Sequence, residues 1–500
     1  MRRILCILLA IITILSFAGC SEEPEVIENS AVLGSVSEES KPDKIEINPI
    51  EQESSSVPES SESQSEPESS SSEISSSEQE KKPSSSSSKS ESSSSNSSSL
   101  SSSESSSSSS EESSSKSEPA VETEQENPPA NSPAPAEETR AVWISYLEYQ
   151  SVLQGKTQKQ FRSNIKTMFA NIAADGFNTV FVHVRSHSDA MYDSDIFPWS
   201  VYCTGTEGED PGYDPLEIMV AEAHSAGLRI EAWINPYRVK GNSNTEKIAS
   251  SSPAYKWLDT EKVIVLDNGI FYNPADDDVI ELVVSGVEEI VRNYDIDGIH
   301  FDDYFYPTTD ESFDRTYYNE YKNSGGKLKL AAWRRQNVNT LIKEVYSAIK
   351  AIDSSCRFGV SPAGNTEQNY NTLYCDVETW VTSKGYVDYI CPQIYFGFKN
   401  KTRPYLDVLN EFSGMITNKN VELIIGLAAY KAGAIDAYAG DNGKNEWVNN
   451  NDILSRQISA ARNDSKYAGF ALYRYDSIYN PSSDVKNAVK AERSNLDKIL

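Results

Sequence analysis

The chain has 500 residues, a formal charge of −30 and a hydrophobic fraction of 38%, and none of these is spread evenly. Residues 21–138 hold 27 acidic and 6 basic side chains among long serine runs, whereas the 362 residues from Thr139 to Leu500 keep every Trp and nearly all the Tyr and Phe at a net charge of −11. That second region is long enough for one large α/β barrel or two smaller domains, and its acidic balance excludes the basic footprint that a nucleic-acid partner needs.

In chain order, Arg2 and Arg3 precede the apolar run Ile4–Ala18. This run is too short to span a bilayer and has the length of a signal peptide. Ala18 and Gly19 lead into Cys20, a pattern that resembles a bacterial lipoprotein box, with Phe17 standing where Leu is usual. The expectation is a leader over 1–20 and a lipidated Cys20 holding the protein to a bacterial membrane, because two acyl chains suffice for stable anchoring. The alternative is a plain secretory leader. Residues 21–138 read as a disordered linker, since Ser, Glu and Pro bury too little apolar surface to offset chain entropy. Fully extended at ~3.3 Å per residue it would reach ~390 Å; as a flexible coil it spans ~60 Å. It is either a spacer carrying a folded domain out through a cell wall or a solubilising tail.

From Thr139 onward, short β-type runs alternate with amphipathic stretches. The expected strands are β1 (Ala141–Ser145), β2 (Thr179–Arg185), β3 (Arg229–Asn235), β4 (Gly298–Asp302), β5 (Phe358–Ser361), β6 (Tyr389–Tyr395), β7 (Leu423–Leu427) and β8 (Gly469–Tyr473). Helices are expected near Gln158–Ala174, Pro215–Ala226, Val279–Asn293, Leu330–Ile352, Thr372–Ser383, Tyr405–Ile416, Asp452–Arg462 and Asp484–Arg493. Eight strands each followed by a helix predict an α/β fold, a (β/α)8 TIM barrel over 139–500. A doubly wound sheet is the competitor, but no Gly-rich phosphate turn follows the first strand.

Within the strands, one parity is aliphatic or aromatic, as in Val180, Val182 and Val184 or Ile299 and Phe301, and faces the helices. The other is polar, small or amphipathic: His183 and Arg185; Glu231, Trp233 and Asn235; His300 and Asp302; Gln393 and Tyr395. A merely filled barrel would place branched aliphatics there too, so this distribution is that of an enzyme whose site lies at the C-terminal strand ends. The long loops after β2, β3, β4 and β7 agree, being rich in Trp, Tyr, Asn, Asp and Gly.

The sharpest local signal is Asp297-Gly-Ile-His-Phe-Asp-Asp-Tyr304. Asp302 and Asp303 at the rim of β4 suit attack, charge stabilisation or proton transfer at a glycosidic bond; otherwise they cap a helix, bind loop amides or hold a metal. A second carboxyl group is left unassigned among Asp189, Glu367, Asp376 and Asp476. Glu231 lies deeper, in a buried network with His183 or His300. Arg185 either orients a carboxylate or sugar substituent or forms a barrel salt bridge. Trp233, Asn235, Tyr237, Arg238, His300, Tyr304, Gln393 and Tyr395 are expected to line the cleft with Asp189, rings meeting the apolar face of a sugar and amides its hydroxyls. Asp276–Asp278 read as a helix cap, and Gly440–Gly443 as a turn. No metal or cofactor motif is found. Cys203, Cys356, Cys375 and Cys391 lack metal-ligand spacing, and their three pairings stay open.

Arg140-Ala-Val-Trp143, Gly176–Val180, His183-Val-Arg185 with Asp189–Tyr192, Pro198-Trp-Ser200, Ala232–Arg238, Asp297–Tyr304, Gly359–Pro362 and Asp388–Tyr395 together resemble the bacterial glycosyl-hydrolase-like family ten. The resemblance runs in order from Arg140 to Asp476. It implies a TIM-barrel glycosidase, often an envelope lipoprotein, with relatives that cleave peptidoglycan glycan strands, and it points to Asp302-Asp303. The chain departs from the family at Glu231, where His is common, and at His183, where Gln is usual. The β4 segment also resembles the DGxDxDxE signature of family-eighteen chitinases, but His300 and Tyr304 replace two of its acids, which argues against substrate-assisted hydrolysis in that mode. The expected function is thus a surface-anchored hydrolase of an envelope glycan. The rival is a carbohydrate-binding protein on the same scaffold without catalysis.

Overall fold

A computed structural model describes residues 138–500. The leader, the lipidation at Cys20 and the linker over 21–138 fall outside the described residues, apart from Glu138. Eight parallel strands close into a barrel: β1 (Thr139–Ile144), β2 (Thr179–Arg185), β3 (Arg229–Ile234), β4 (Gly298–Phe301), β5 (Arg357–Val360), β6 (Tyr389–Ile390), β7 (Glu422–Ala428) and β8 (Tyr467–Tyr473). Their order around the barrel is sequential, and β1 closes it on β8 through Thr139↔Gly469 to Val142↔Leu472. The expected (β/α)8 barrel is therefore the fold.

Helices cover its outside: α1 (Tyr146–Val152), α2 (Gln158–Ala174), α3 (Pro215–Ser225), α4 (Asp277–Asn293), α5 (Leu330–Ile352), α6 (Thr366–Asn371), α7 (Val377–Thr382), α8 (Tyr405–Met415), α9 (Ile453–Ala461) and α10 (Lys486–Leu496). Their starts are chemically marked. Thr157 and Gln160 form a reciprocal capping box at α2. Asp276 caps α4 by accepting from the Val279 amide, the role expected of the acidic triplet. Each helix then turns its apolar stripe inward; on α2 this buries Phe161, Ile165, Met168, Phe169 and Ile172, each contributing roughly 1.5–3 kcal/mol.

The strand parities separate two cores. The outward-facing valines, isoleucines and phenylalanines join the helix stripes in one cluster. The barrel interior is a smaller cluster containing Ala141, Trp143, Phe181, Trp233, Tyr389, Cys391, Ile424 and Ala471. Large rings fit there because glycines face them: a Cβ on Gly359 would lie 2.0 Å from Tyr389 Cζ. All four cysteines of the barrel are free and buried.

Three features differ from the sequence expectation. The residues after β3 are not an irregular loop: strands 238–240, 263–266 and 269–272 build a small antiparallel sheet. Strand β6 stops at Ile390, and only Gln393 makes further bridges, to Ala363 and Gly426. The helix expected at Thr372–Ser383 is only the short α7, and a separate short helix, α6, precedes the expected start.

Candidate active site

Strand β4 delivers its carboxylates because its outer face is pinned. Ile299 and Phe301 are fully buried, and Phe301 meets Phe358 edge to face. Asp302 and Asp303 follow directly, at the C-terminal mouth of the barrel. Asp302 is 3% exposed. Its Oδ1 accepts from the Tyr304 amide and its Oδ2 from Trp233 Nε1, both at 3.1 Å. Asp303 Oδ1 accepts from Gln393 Nε2 at 3.1 Å, and Gln393 also donates to the Ser361 carbonyl. Burial pushes both carboxyl groups above the ordinary carboxylate range, and the Asp303 charge pushes Asp302 further. Two adjacent acids that resist double ionisation hold a proton into the neutral range and titrate as a unit.

A chain of contacts fixes Trp233. Its ring stacks on His183 at 3.5 Å, and His183 Nε2 lies 2.6 Å from Asn235 Oδ1. Burial holds His183 well below its usual pKa, so the ring is neutral. Opposite, the Arg238 guanidinium sits over the rings of Tyr304 and Tyr146. Tyr395, Tyr430 and Tyr473 form a second aromatic group, with centroids 5.8–6.2 Å apart. Trp233, Asn235, Arg238, Tyr304, Gln393 and Tyr395 thus gather with the acid pair or its immediate partners.

Four expected cleft residues lie elsewhere. Arg185 keeps β2 parity on paper, but the β2–β3 register slips between His183 and Arg185, so Arg185 pairs with outward-facing Ile234. Its guanidinium packs over Phe197 and against α4, where a Cβ on Gly286 would come within 2.2 Å of Nη1. It neither meets the acids nor forms a salt bridge. Tyr237 is wholly buried in the outer core, its ring 6.4 Å from Phe305. Asp189 ties the β2 loop by accepting from Ser200 Oγ and the Val201 amide. His300 faces inward but one layer below the mouth, bonded to Trp143 and Tyr389 and stacked on Phe181.

Glu231 belongs to that lower layer, where Tyr389 Oη donates to its Oε2, so its network runs to His300 through a phenol. Of the unassigned acids, Asp376 caps α7 and takes Thr379 Oγ1, while Asp476 sits near Arg474. Tyr146 and Tyr202 were not anticipated. Tyr146 follows β1 at the mouth and meets His183, His187 and Tyr202 at 5.0–5.6 Å; its place one residue past a buried strand end was the readable signal. Among the described residues no group of three His, Cys, Asp or Glu side chains is arranged to hold a metal ion.

The sequence matches the family described as Glycosyl hydrolase-like 10 over residues 138–442. It is 36% identical over 316 residues to the glycosyl hydrolase YngK of Bacillus subtilis, a match covering 59% of this chain and 61% of that one. The chain therefore spans about three-fifths of that relative's length. It is 32% identical over 390 residues to the glycosyl hydrolase DigH of Escherichia coli K12, covering 71% and 87%. The PgaB (BpsB) glycoside hydrolase domain of Bordetella bronchiseptica superposes with a TM-score of 0.48 at 13% identity, over 71% of this chain and 99% of that one. With a match that takes in more than half its residues and extends through the acid pair on β4, this chain belongs to the Glycosyl hydrolase-like 10 family.

Proposed function

We propose that the protein is a glycoside hydrolase of a bacterial envelope glycan, the glycan strands of peptidoglycan, held to the outside of the cell membrane through a lipidated Cys20. The observation that carries the reading is the acid pair at the end of β4, buried at the barrel mouth, hydrogen-bonded on unequal terms and ringed by tyrosines. The hydrogen bonds divide the work. Both oxygens of Asp302 accept an N–H, which orients a carboxylate toward an anomeric carbon. At Asp303 one side chain donates, to Oδ1, leaving Oδ2 without a side-chain donor and able to pass a proton. In the empty cleft the shared proton rests on Asp302, which the Asp303 charge pushes higher. With a glycan bound it passes to Asp303, which gives it to the leaving oxygen as the C–O bond breaks. Asp302, then a carboxylate, meets the positive charge that develops on the sugar until water adds there and returns its proton to the pair. The pair thus fills both roles without a further acid. The leader and the Ser/Glu-rich spacer support a place outside the membrane.

The test is incubation of the full chain with peptidoglycan, with and without its stem peptides, followed by assay of reducing ends. New reducing ends are expected. Retention of glycan with no products would reduce the protein to a carbohydrate binder.

A further inference from the structure

Arg238 opens the outer ribbon at strand 238–240, and its position is unusual for a cation in an acidic protein. The guanidinium carbon lies 5.1 Å from the Tyr304 ring centroid and 5.8 Å from that of Tyr146. Gly241 leaves it room, since a Cβ there would come within 3.0 Å of Nη2. The side chain is only partly exposed. Yet among the described residues no carboxylate lies within ion-pairing distance, and beyond the Tyr146 hydroxyl nothing receives its N–H groups. Its neighbour Lys240 shows the ordinary arrangement, paired with Glu207. The anion that Arg238 feels is Asp302, through space.

A partly desolvated guanidinium needs acceptors, and its planar fork is matched by a carboxylate. Tyrosine faces on either side hold the plane but accept few of its five N–H donors. The geometry points to Arg238 as a specificity-determining residue that receives a carboxylate carried on the sugar, which makes an acidic glycan, rather than a neutral one, the ligand of this cleft. This rests on the reading of the acid pair as a glycan centre. Within peptidoglycan, the lactyl carboxylate of an N-acetylmuramic acid residue is such a group. Arg238 also offsets the repulsion that this anion would otherwise meet from Asp302 and Asp303.

Three probes separate the possibilities: glycan strands of alternating N-acetylglucosamine and N-acetylmuramic acid with free lactyl carboxylates, the same strands methyl-esterified, and the neutral N-acetylchitohexaose. Calorimetric affinity of the full chain needs no turnover. The free acid is expected to bind about 30-fold tighter than the ester, and Arg238→Gln to bring the two within about threefold. Where turnover is seen, the loss should fall on KM more than on kcat. If Gln at this position does not fold, Arg238→Met, which keeps the aliphatic stem between the rings, carries the same expectation. Equal affinity of the wild type for acid and ester overturns the inference. So does an Arg238→Gln variant that weakens all three probes alike and shifts the acid limb of the pH profile, the result expected if Arg238 merely keeps Asp302 ionised. Selective binding without cleavage would sink the hydrolase reading alone, and cleavage without selectivity this inference alone.

Discussion

The barrel interior holds two polar layers, and they differ in how completely their groups are used. In the lower layer, Trp143 Nε1 donates to His300 Nε2, which leaves the imidazole proton on Nδ1. Nδ1 donates to Tyr389 Oη at 2.8 Å, and the phenol donates to Glu231. Only Glu231 Oε1 lacks a partner, with Arg357 at 4.0 Å. Burial holds His300 at about 3, so it stays neutral. In the upper layer, Asp303 has one side-chain donor, Arg238 no carboxylate, and His183 Nδ1 and Asn235 Nδ2 no partner at all. Both layers come from the same strand parity. What separates a structural network from a reactive site is unspent hydrogen-bonding capacity at the open end.

The largest effect that would sharpen this contrast is at Asp302. Asp302→Asn should lower the rate of glycan cleavage by about 10³-fold or more, while thermal unfolding stays cooperative and within a few degrees of the wild type. A fully active variant would remove Asp302 from the mechanism. In the lower layer the expectation reverses. Tyr389→Phe strips Glu231 and His300 of their shared partner and should cost about 2–4 kcal/mol by urea unfolding, with kcat little changed well below the transition. If that variant were stable and inactive, the lower layer would have to join the chemistry.

Asp303→Asn tests the coupling inside the upper layer. Removing the like charge beside Asp302 should lower cleavage by about 10²-fold and move the acid limb of any residual activity to lower pH, because Asp302 then ionises more easily. The same change should raise the melting temperature, since one buried charge has gone. A lower melting temperature would mean that Asp303 serves as a structural anchor through Gln393.

How far these layers could be read from sequence follows from what alternation reports. It gives the face of a residue, and so the eight strands, the two cores and the inward turn of His183, Glu231, His300 and Asp302. It does not give depth, which is why His300 was expected in the cleft when its hydrogen bonds are spent one layer down. Nor does it foresee a register slip, and the one in β2 sends Arg185 outward under α4. Tyr237 went astray because a ring in the loop after β3 was expected to face the cleft, whereas it turns into the outer core beside Phe305. The outer ribbon had a local signal that went unused: Val263–Leu266 and Gly269–Tyr272 flank Asp267-Asn268, the composition of a two-residue hairpin. The aromatic wall needed neighbours from different strands, and only closure of the barrel brings Tyr146 to Arg238.

The smallest expected effect concerns stability against pH, and its sign distinguishes buried carboxyl groups that lack hydrogen-bonded cationic partners from one that has them. Burial raises Asp302, Asp303 and Glu231 above their unfolded values near ~4. Over the window between those values and the raised ones, the folded chain binds more protons than the unfolded chain, so stability falls as pH rises. Glu138 has the opposite sign. Burial opposes its ionisation, but Arg462, Tyr467 and Arg140 hold it below its usual value, so its contribution is present at neutral pH and lost on acidification. Urea unfolding from pH 4.5 to 8 should therefore show a decline of about 1–2 kcal/mol that flattens in the Asp302→Asn, Asp303→Asn double variant and survives in Glu138→Gln. If the double variant kept the full slope, the decline would belong to other carboxyl groups that burial raises, among them Glu231, Asp189, Glu148 and Glu492, and the acid pair would not be the strained site.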